Sequence, residues 1–499
     1  METAEQWYDK GVQEYEAGNC EAALASFDRT LEIEADYYTA WFGKGVILSN
    51  LGRYQEALDC YDEALQLKPD SYEFWQNKGN VFMDLKKYIE AVNCYDKALH
   101  FKPTFCESWY NKGNVFLCLK KYTEALDCYD TALQLKPNLS QAWNNKGNVF
   151  LDLQRYQEAV NCYDKALQLK PDLYEAWKGK GKVFQDLQRY QEAVNCYDKA
   201  LQVKPNDYQI WHTKGQVFQD LLKYQEAINC YDKALQLEPN LYDAWNNKGN
   251  VFAHLQRYEK ALDCYDKTLQ FKPDYYQAWH NKGTVLEFLQ RHKEAVDCFD
   301  IALQFNPDHY DAWNGKGNVF QALQRYKEAL DCYDKALQLN PNYYNAWHNK
   351  GNVLVHLQKH KEAIECSDKA LQLKPDYYDA WNGKGNVFQA LQRYKEALDC
   401  YDKALQLNPD FSQAWHNKGN IFRDLQQYKE AVDCYDKALQ LKPDYYNAWH
   451  GKGNVLLDLQ RYQEAVDCYD KALQFKPDYY DAWHGKGNAF LDLQRYQEA

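Results

Sequence analysis

Sixteen cysteines, twelve histidines and a long series of asparagines are the side chains of this 499-residue chain best suited to chemistry. Thiols can form disulfides or bind zinc, imidazoles can bind metal or carry protons, and amides can hold a polypeptide backbone. Spacing decides among these. Thirteen cysteines, from Cys60, Cys94 and Cys128 to Cys468, recur every 34 residues. No CxxC pair occurs, so zinc has poor support. Equivalent points in successive repeats should lie roughly 8–10 Å apart, as packed helices do. Disulfides need Cα atoms closer than about 7 Å. The ladder therefore reads as reduced, buried thiols acting as small hydrophobes. Cys20, Cys106 and Cys118 fall outside it and are expected to be more exposed.

His212, His280, His348, His416, His450 and His484 each directly follow a tryptophan. Most stand two repeats apart, too far to share a metal at ligand distances of ~2 Å. His356 and His360, four apart, make a weak metal pair, because His360 occupies a packing slot. No metal or cofactor is expected. If the six imidazoles lie in a binding surface, affinity for a basic partner should weaken below about pH 6.5. A glycine-rich phosphate loop, a GxSxG elbow and an HExxH motif are all missing, so nothing supports catalysis.

The elements that must position these residues are set by one period. All fifteen tryptophans, from Trp7 and Trp41 to Trp483, are 34 residues apart. Such a period is the mark of a helix–turn–helix solenoid. In the unit Leu173 to Asn206, Pro171 ends the preceding helix and Asp172 is expected as N-cap, with Glu175 completing an acidic capping box. Ala176, Trp177, Gly181, Val183, Phe184 and Leu187 recur at helical spacing on a first helix. Gln188-Arg189 makes a turn, and Tyr190, Ala193, Val194, Cys196, Tyr197, Ala200, Leu201 and Val203 mark a second helix. Glycine holds the position of Gly181 in all fifteen repeats. Mid-helix glycine costs about 1 kcal/mol relative to alanine, so two helices are expected to approach too closely there for a Cβ. Trp177 and Tyr197 are expected to supply the bulk of the core.

The series Trp177, Gly181, Phe184, Ala193, Tyr197, Ala200 and Pro205 resembles the tetratricopeptide repeat, and the resemblance covers nearly the whole chain. It implies an all-α, right-handed superhelical solenoid of 34-residue helix–turn–helix repeats. Residues 1–37 are expected to act as a degenerate N-terminal cap, 38–479 as thirteen regular units and 480–499 as an incomplete fifteenth. The chain stops without a polar capping element, so the natural protein is expected to continue or the end face to stack head to tail. Residues 310–341 and 378–409 are identical, which points to growth by pairs of repeats. The array departs from the family where Lys precedes the recurring Gly in every repeat; with an Asp further on, such as Asp198, it suggests Lys–Asp pairs between helices. Ser367 replaces the expected aromatic, and His292 and His360 replace a turn tyrosine; these are expected weak points.

The resemblance also implies that residues one, two, five and nine after each Trp line a concave groove. There stand Asn77, Asn80, Asn111, Asn114, Asn145, Asn148, Asn247, Asn250, Asn281, Asn349, Asn352, Asn417 and Asn420. An amide offers both donor and acceptor, suited to an extended peptide of any sequence. The arrangement is similar to the asparagine-lined arm of O-GlcNAc transferases. Asp84, Asp152, Asp186, Asp220, Asp424, Asp458 and Asp492 would favour basic or neutral segments. The carboxylate clamp of some tetratricopeptide domains is not matched, since Lys182 stands where the clamp needs an asparagine. A net charge of −13 argues against nucleic acid, and no apolar run suits a membrane. A cytoplasmic, non-enzymatic scaffold for protein or peptide partners is expected. The alternative is a regulatory or substrate-recruiting arm of a larger enzyme whose catalytic domain lies beyond residue 499.

Overall fold

The computed structural model describes residues 2–493, and all its regular structure is helical. First helices of 13 residues alternate with second helices of 14, so the chain is an all-α solenoid of 34-residue helix pairs. It divides into two compact units, Met1–Val251 and Phe252–Ala499. In each, a second helix packs on the first helix of its own pair and on the first helix of the next. Of the expected fifteenth repeat, residues 494–499 lie outside the described residues.

Local chemistry explains why the pairs are so uniform. The first helix Tyr174–Asp186 ends where Gln188 adopts a left-handed φ of 57°. Arg189 N–H then donates to Phe184 O (2.8 Å) and Gln188 N–H to Gln185 O (2.9 Å). This double closure satisfies carbonyls that a helix end would otherwise leave bare. The second helix, Tyr190–Val203, follows at once.

The start of the first helix differs from expectation. Leu173, not Asp172, is the cap residue, and no side chain caps that helix. Pro171 and Asp172 are consumed by a turn in which Leu173 N–H donates to Lys170 O (3.1 Å). One repeat later Asp207 occupies the cap position itself, and its carboxylate accepts Ile210 N–H at 3.0 Å.

The glycine expectation holds. A Cβ on Gly181 would lie 2.6 Å from Tyr197 Cε1. Tyr197 is 1% exposed, and Ala193 and Ala200 are fully buried around it. The ring at this position, usually tyrosine, rather than the tryptophan, is the deepest aromatic of the units that carry it, because the helices close over it on both sides. Trp177 is only half-buried, and its indole N–H donates to Pro171 O at 2.9 Å. The same bond joins Trp75 to Pro69 and Trp449 to Pro443, so each tryptophan fastens the loop that precedes its own helix.

The Lys–Asp pairs form, and they link one repeat to the one before: Lys180 Nζ meets Asp164 Oδ1 at 2.6 Å. The lysine is largely covered while the aspartate is half open, so each pair contributes at most about 1 kcal/mol. The cysteine ladder is buried and free; Cys118 is exposed, and Cys20 and Cys106 are half-buried. Burial pushes thiols such as Cys196 up to about 11, which leaves them inert.

Candidate functional site

Within each unit the first helices line one face. Successive first helices touch from Ala4–Glu16 to Tyr174–Asp186 and again from Tyr276–Phe288 to Tyr480–Asp492, whereas second helices splay apart. A stack closer on one face than on the other curves toward that face. First helices therefore stand on the inner side of each unit.

The sequence-predicted asparagines are brought together there, in a pattern the sequence did not disclose. Tyr129 Oη donates to Asn114 Oδ1 (2.8 Å), and Asn145 Nδ2 of the next repeat donates to the same oxygen (2.9 Å). Tyr95, Asn80 and Asn111 repeat this arrangement at 2.9 and 3.0 Å. Tyr333, Asn318 and Asn349 do so at 3.0 Å in both bonds, and Tyr401, Asn386 and Asn417 at 2.9 and 3.0 Å. Asn148 accepts from Tyr163 at 2.8 Å and Asn420 from Tyr435 at 2.7 Å. The buried tyrosine thus reaches through the repeat to hold a groove amide.

Other members of the set are held differently. Asn77 donates to Glu73 O on its own helix (2.9 Å), and Asn247 bonds the His212 ring at 3.1 Å. Asn352 and Asn420 bond the rings of His348 and His416 at 3.0 and 3.1 Å. Asn250 and Asn281 are not free of partners either.

These bonds fix each amide's orientation. With Oδ1 committed inward, the Nδ2 groups of Asn80, Asn114, Asn148, Asn318 and Asn386 make no hydrogen bond with the described residues and remain accessible. Each of these amides thus keeps an unbonded N–H donor, three of them in the first unit and two in the second.

Asp84 and Asp152 stand exposed one turn beyond Asn80 and Asn148; Asp220 is also exposed, and Asp186 is ion-paired with Lys182 at 2.6 Å. Eight residues after the Trp, a slot the sequence reading passed over, Gln185 and Gln219 accept from the hydroxyls of Tyr197 and Tyr231 at 2.9 and 3.0 Å. Glu287 holds the same slot, and burial pushes its carboxyl up to about 7. Arg423 holds it too, with Nη2 3.1 Å from Asp424 Oδ1.

The expected pH response changes. Burial pushes His280, His348 and His416 down to about 4, and lowers His212 and His450. The residue after the tryptophan faces the next repeat more than the groove; Asn144, Asn246 and Asn382 in that slot are also buried. A transition near pH 6.5 therefore does not describe these imidazoles. Neither half of the His356/His360 pair is arranged as a ligand: the His356 ring stacks on Tyr326 with centroids 5.1 Å apart, and His360 Nδ1 is buried without a partner. Among the described residues no three His, Cys, Asp or Glu side chains converge as a metal site, and no helix is long and apolar enough to cross a membrane.

No curated protein matches the chain. Among solved structures, the APC/C hetero-tetramer Cut9–Hcn1 covers 98% of this chain and 96% of its own, at 16% identity and a TM-score of 0.45. YrrB, described as a TPR protein with an unusual peptide-binding site, covers 38% of this chain and 98% of its own, at 26% identity and a TM-score of 0.30. Neither likeness is close enough to bear on function. The tetratricopeptide repeat family is matched at 38–71, 106–139, 140–173, 174–207, 208–241, 242–275, 310–343, 378–411 and 412–445. Related repeat descriptions match 79–119, 276–309, 332–365, 351–392 and 453–494. Those matches follow the helix pairs along nearly the whole chain, which belongs to the tetratricopeptide repeat family.

Proposed function

We propose that this chain is a non-enzymatic protein-interaction scaffold that holds extended peptide segments along the inner wall of its first helices. The observation that carries this reading is the set of oriented amide donors, Asn80, Asn114 and Asn148 in the first unit and Asn318 and Asn386 in the second. Donors fixed in advance lose little entropy on binding, and backbone carbonyls of an extended segment are their natural acceptors. The exposed carboxylates Asp84, Asp152 and Asp220 favour basic or neutral segments. Residues 1–37 fit the part of a cap, and end-to-end association of the array is a separate possibility for sedimentation analysis.

The test is fluorescence anisotropy with unstructured labelled peptides of Gly-Ser-Lys and Gly-Ser-Glu repeats. The lysine peptide should bind the full chain more tightly, and more weakly as salt rises. Neutralising Asp84, Asp152 and Asp220 together to Asn should remove the preference without unfolding, since all three are exposed. Equal affinity for both peptides, or a preference unmoved by the triple substitution, would refute the charge reading. No binding of either peptide would refute the groove.

A further inference from the structure

The ring that fills each repeat is missing once. At its position the second helices carry Tyr or Phe from Phe27 to Tyr469, except for Ser367. Ser367 is buried, and its Oγ donates to Ala363 O at 3.0 Å, so it does not replace the tyrosine's reach to the groove. Two glycines that elsewhere press on that ring face a vacated space. A Cβ on Gly385 would strike Tyr401 at 2.5 Å, whereas one on Gly351 would meet nothing nearer than 3.4 Å. Across the repeat boundary, Gly315 and Gly451 lie against the preceding repeat's ring, with Cβ positions 2.7 and 2.8 Å from it. The neighbours of Gly383 are instead Asn352 Oδ1 (3.2 Å) and His348 Cε1 (3.3 Å).

His348 therefore leans into the place of the absent ring. Asn352 turns its Nδ2 to His348 Nε2 (3.0 Å). Its Oδ1, the atom that accepts a tyrosine hydroxyl in Asn318, Asn386 and Asn420, accepts nothing from the described residues. A cleft of about 340 Å³ opens beside this place, on the far side of His348 from Ser367 and Gly351, which do not line it; its walls include His348, Asn352, Gly383, Asn386 and Phe411.

We propose that the place of the missing tyrosine is a socket for a free small phenol. The ring lies between Gly351 and Gly383 once His348 swings aside into the adjoining cleft, and its hydroxyl donates to Asn352 Oδ1. The socket does not rest on the groove reading above.

Ligand-observed NMR of p-cresol with the full chain tests the socket alone. Saturable binding is expected, weakened at least ~10-fold by Ser367→Tyr and by Ser367→Phe, both of which refill the space. Toluene, without a donor, should bind ~10-fold more weakly. No saturable p-cresol binding, or binding unchanged in both variants, overturns the proposal; equal binding of toluene overturns the phenol assignment.

Discussion

Gly181→Ala and Gly351→Ala are the same substitution at equivalent positions of two repeats, and their effects should have opposite signs. In a helix interior alanine is favoured over glycine by about 1 kcal/mol. At Gly351 nothing opposes this gain, because the nearest atoms to a new Cβ are 3.4 Å away. At Gly181 the methyl would lie 2.6, 2.8 and 3.1 Å from three atoms of the Tyr197 ring. That ring is buried and its hydroxyl is tied to Gln185 at 2.9 Å, so it has little room to retreat. Overpacking of this kind costs about 1–3 kcal/mol. The net change is a loss of up to about 2 kcal/mol at Gly181 and a gain of up to about 1 kcal/mol at Gly351.

A repeat array can open piecewise, so the measurement should be local. Hydrogen exchange over 174–203 and 344–373 reports each helix pair. Since about 1.4 kcal/mol is tenfold in an equilibrium, protection should fall by up to about 25-fold around Gly181. It should rise by up to about fivefold around Gly351. Changes of the same sign at both sites would refute the steric account of the glycine slot.

Three other outcomes follow from the same contacts. His280, His348 and His416 stay neutral in the native protein down to about 4, whereas unfolded histidine titrates near its ordinary value of 6.5. Below about pH 6.5 the unfolded chain takes up protons that the native one refuses. Stability from these groups is therefore full above that pH and falls toward pH 4, by up to about 3 kcal/mol each; urea titrations should show a smaller acid loss in a triple His→Gln variant. A double-mutant cycle on Lys180 and Asp164 should return a coupling below about 1 kcal/mol, and a larger value would show the pair to be less screened than the exposure of Asp164 implies. Iodoacetamide should label Cys118 in the folded protein and reach Cys196 and its equivalents only after denaturation; labelling of the ladder at the rate of Cys118 would contradict its burial.

The helix pairs were legible because each core contact is written many times over. Gly181, Tyr197, Ala193 and Ala200 recur in fixed slots, and repetition separates packing residues from surface residues without any structure. The Lys–Asp pairs were legible for the same reason. The cap was not, because Pro171 and Asp172 can serve either as helix start or as turn, and only the loop geometry chooses. Nor was the relative depth of Trp177 and Tyr197: both are large, but burial depends on which helix is covered from two sides. The groove residues were located but not understood. Asn114 and Asn145 are 31 residues apart, and their shared hydrogen bond depends on how repeats stack. The tie between Trp177 and Pro171 was open to recognition, since Trp is constant and Pro stands six residues before it in all but the first units.

The Lys–Asp bridge always runs from one repeat back to the one before, as from Lys180 to Asp164 and from Lys418 to Asp402. Each 34-residue module therefore carries one half of the joint at its front and the complementary half at its back. Modules of this kind are interchangeable: a whole one can be excised or duplicated and the new seam finds both halves in place, as the identity of 310–341 and 378–409 suggests has happened. The same interchangeability makes the modules nearly alike along the array, and residues 344–377, with Ser367 where the other second helices carry an aromatic ring, are one module that stands apart.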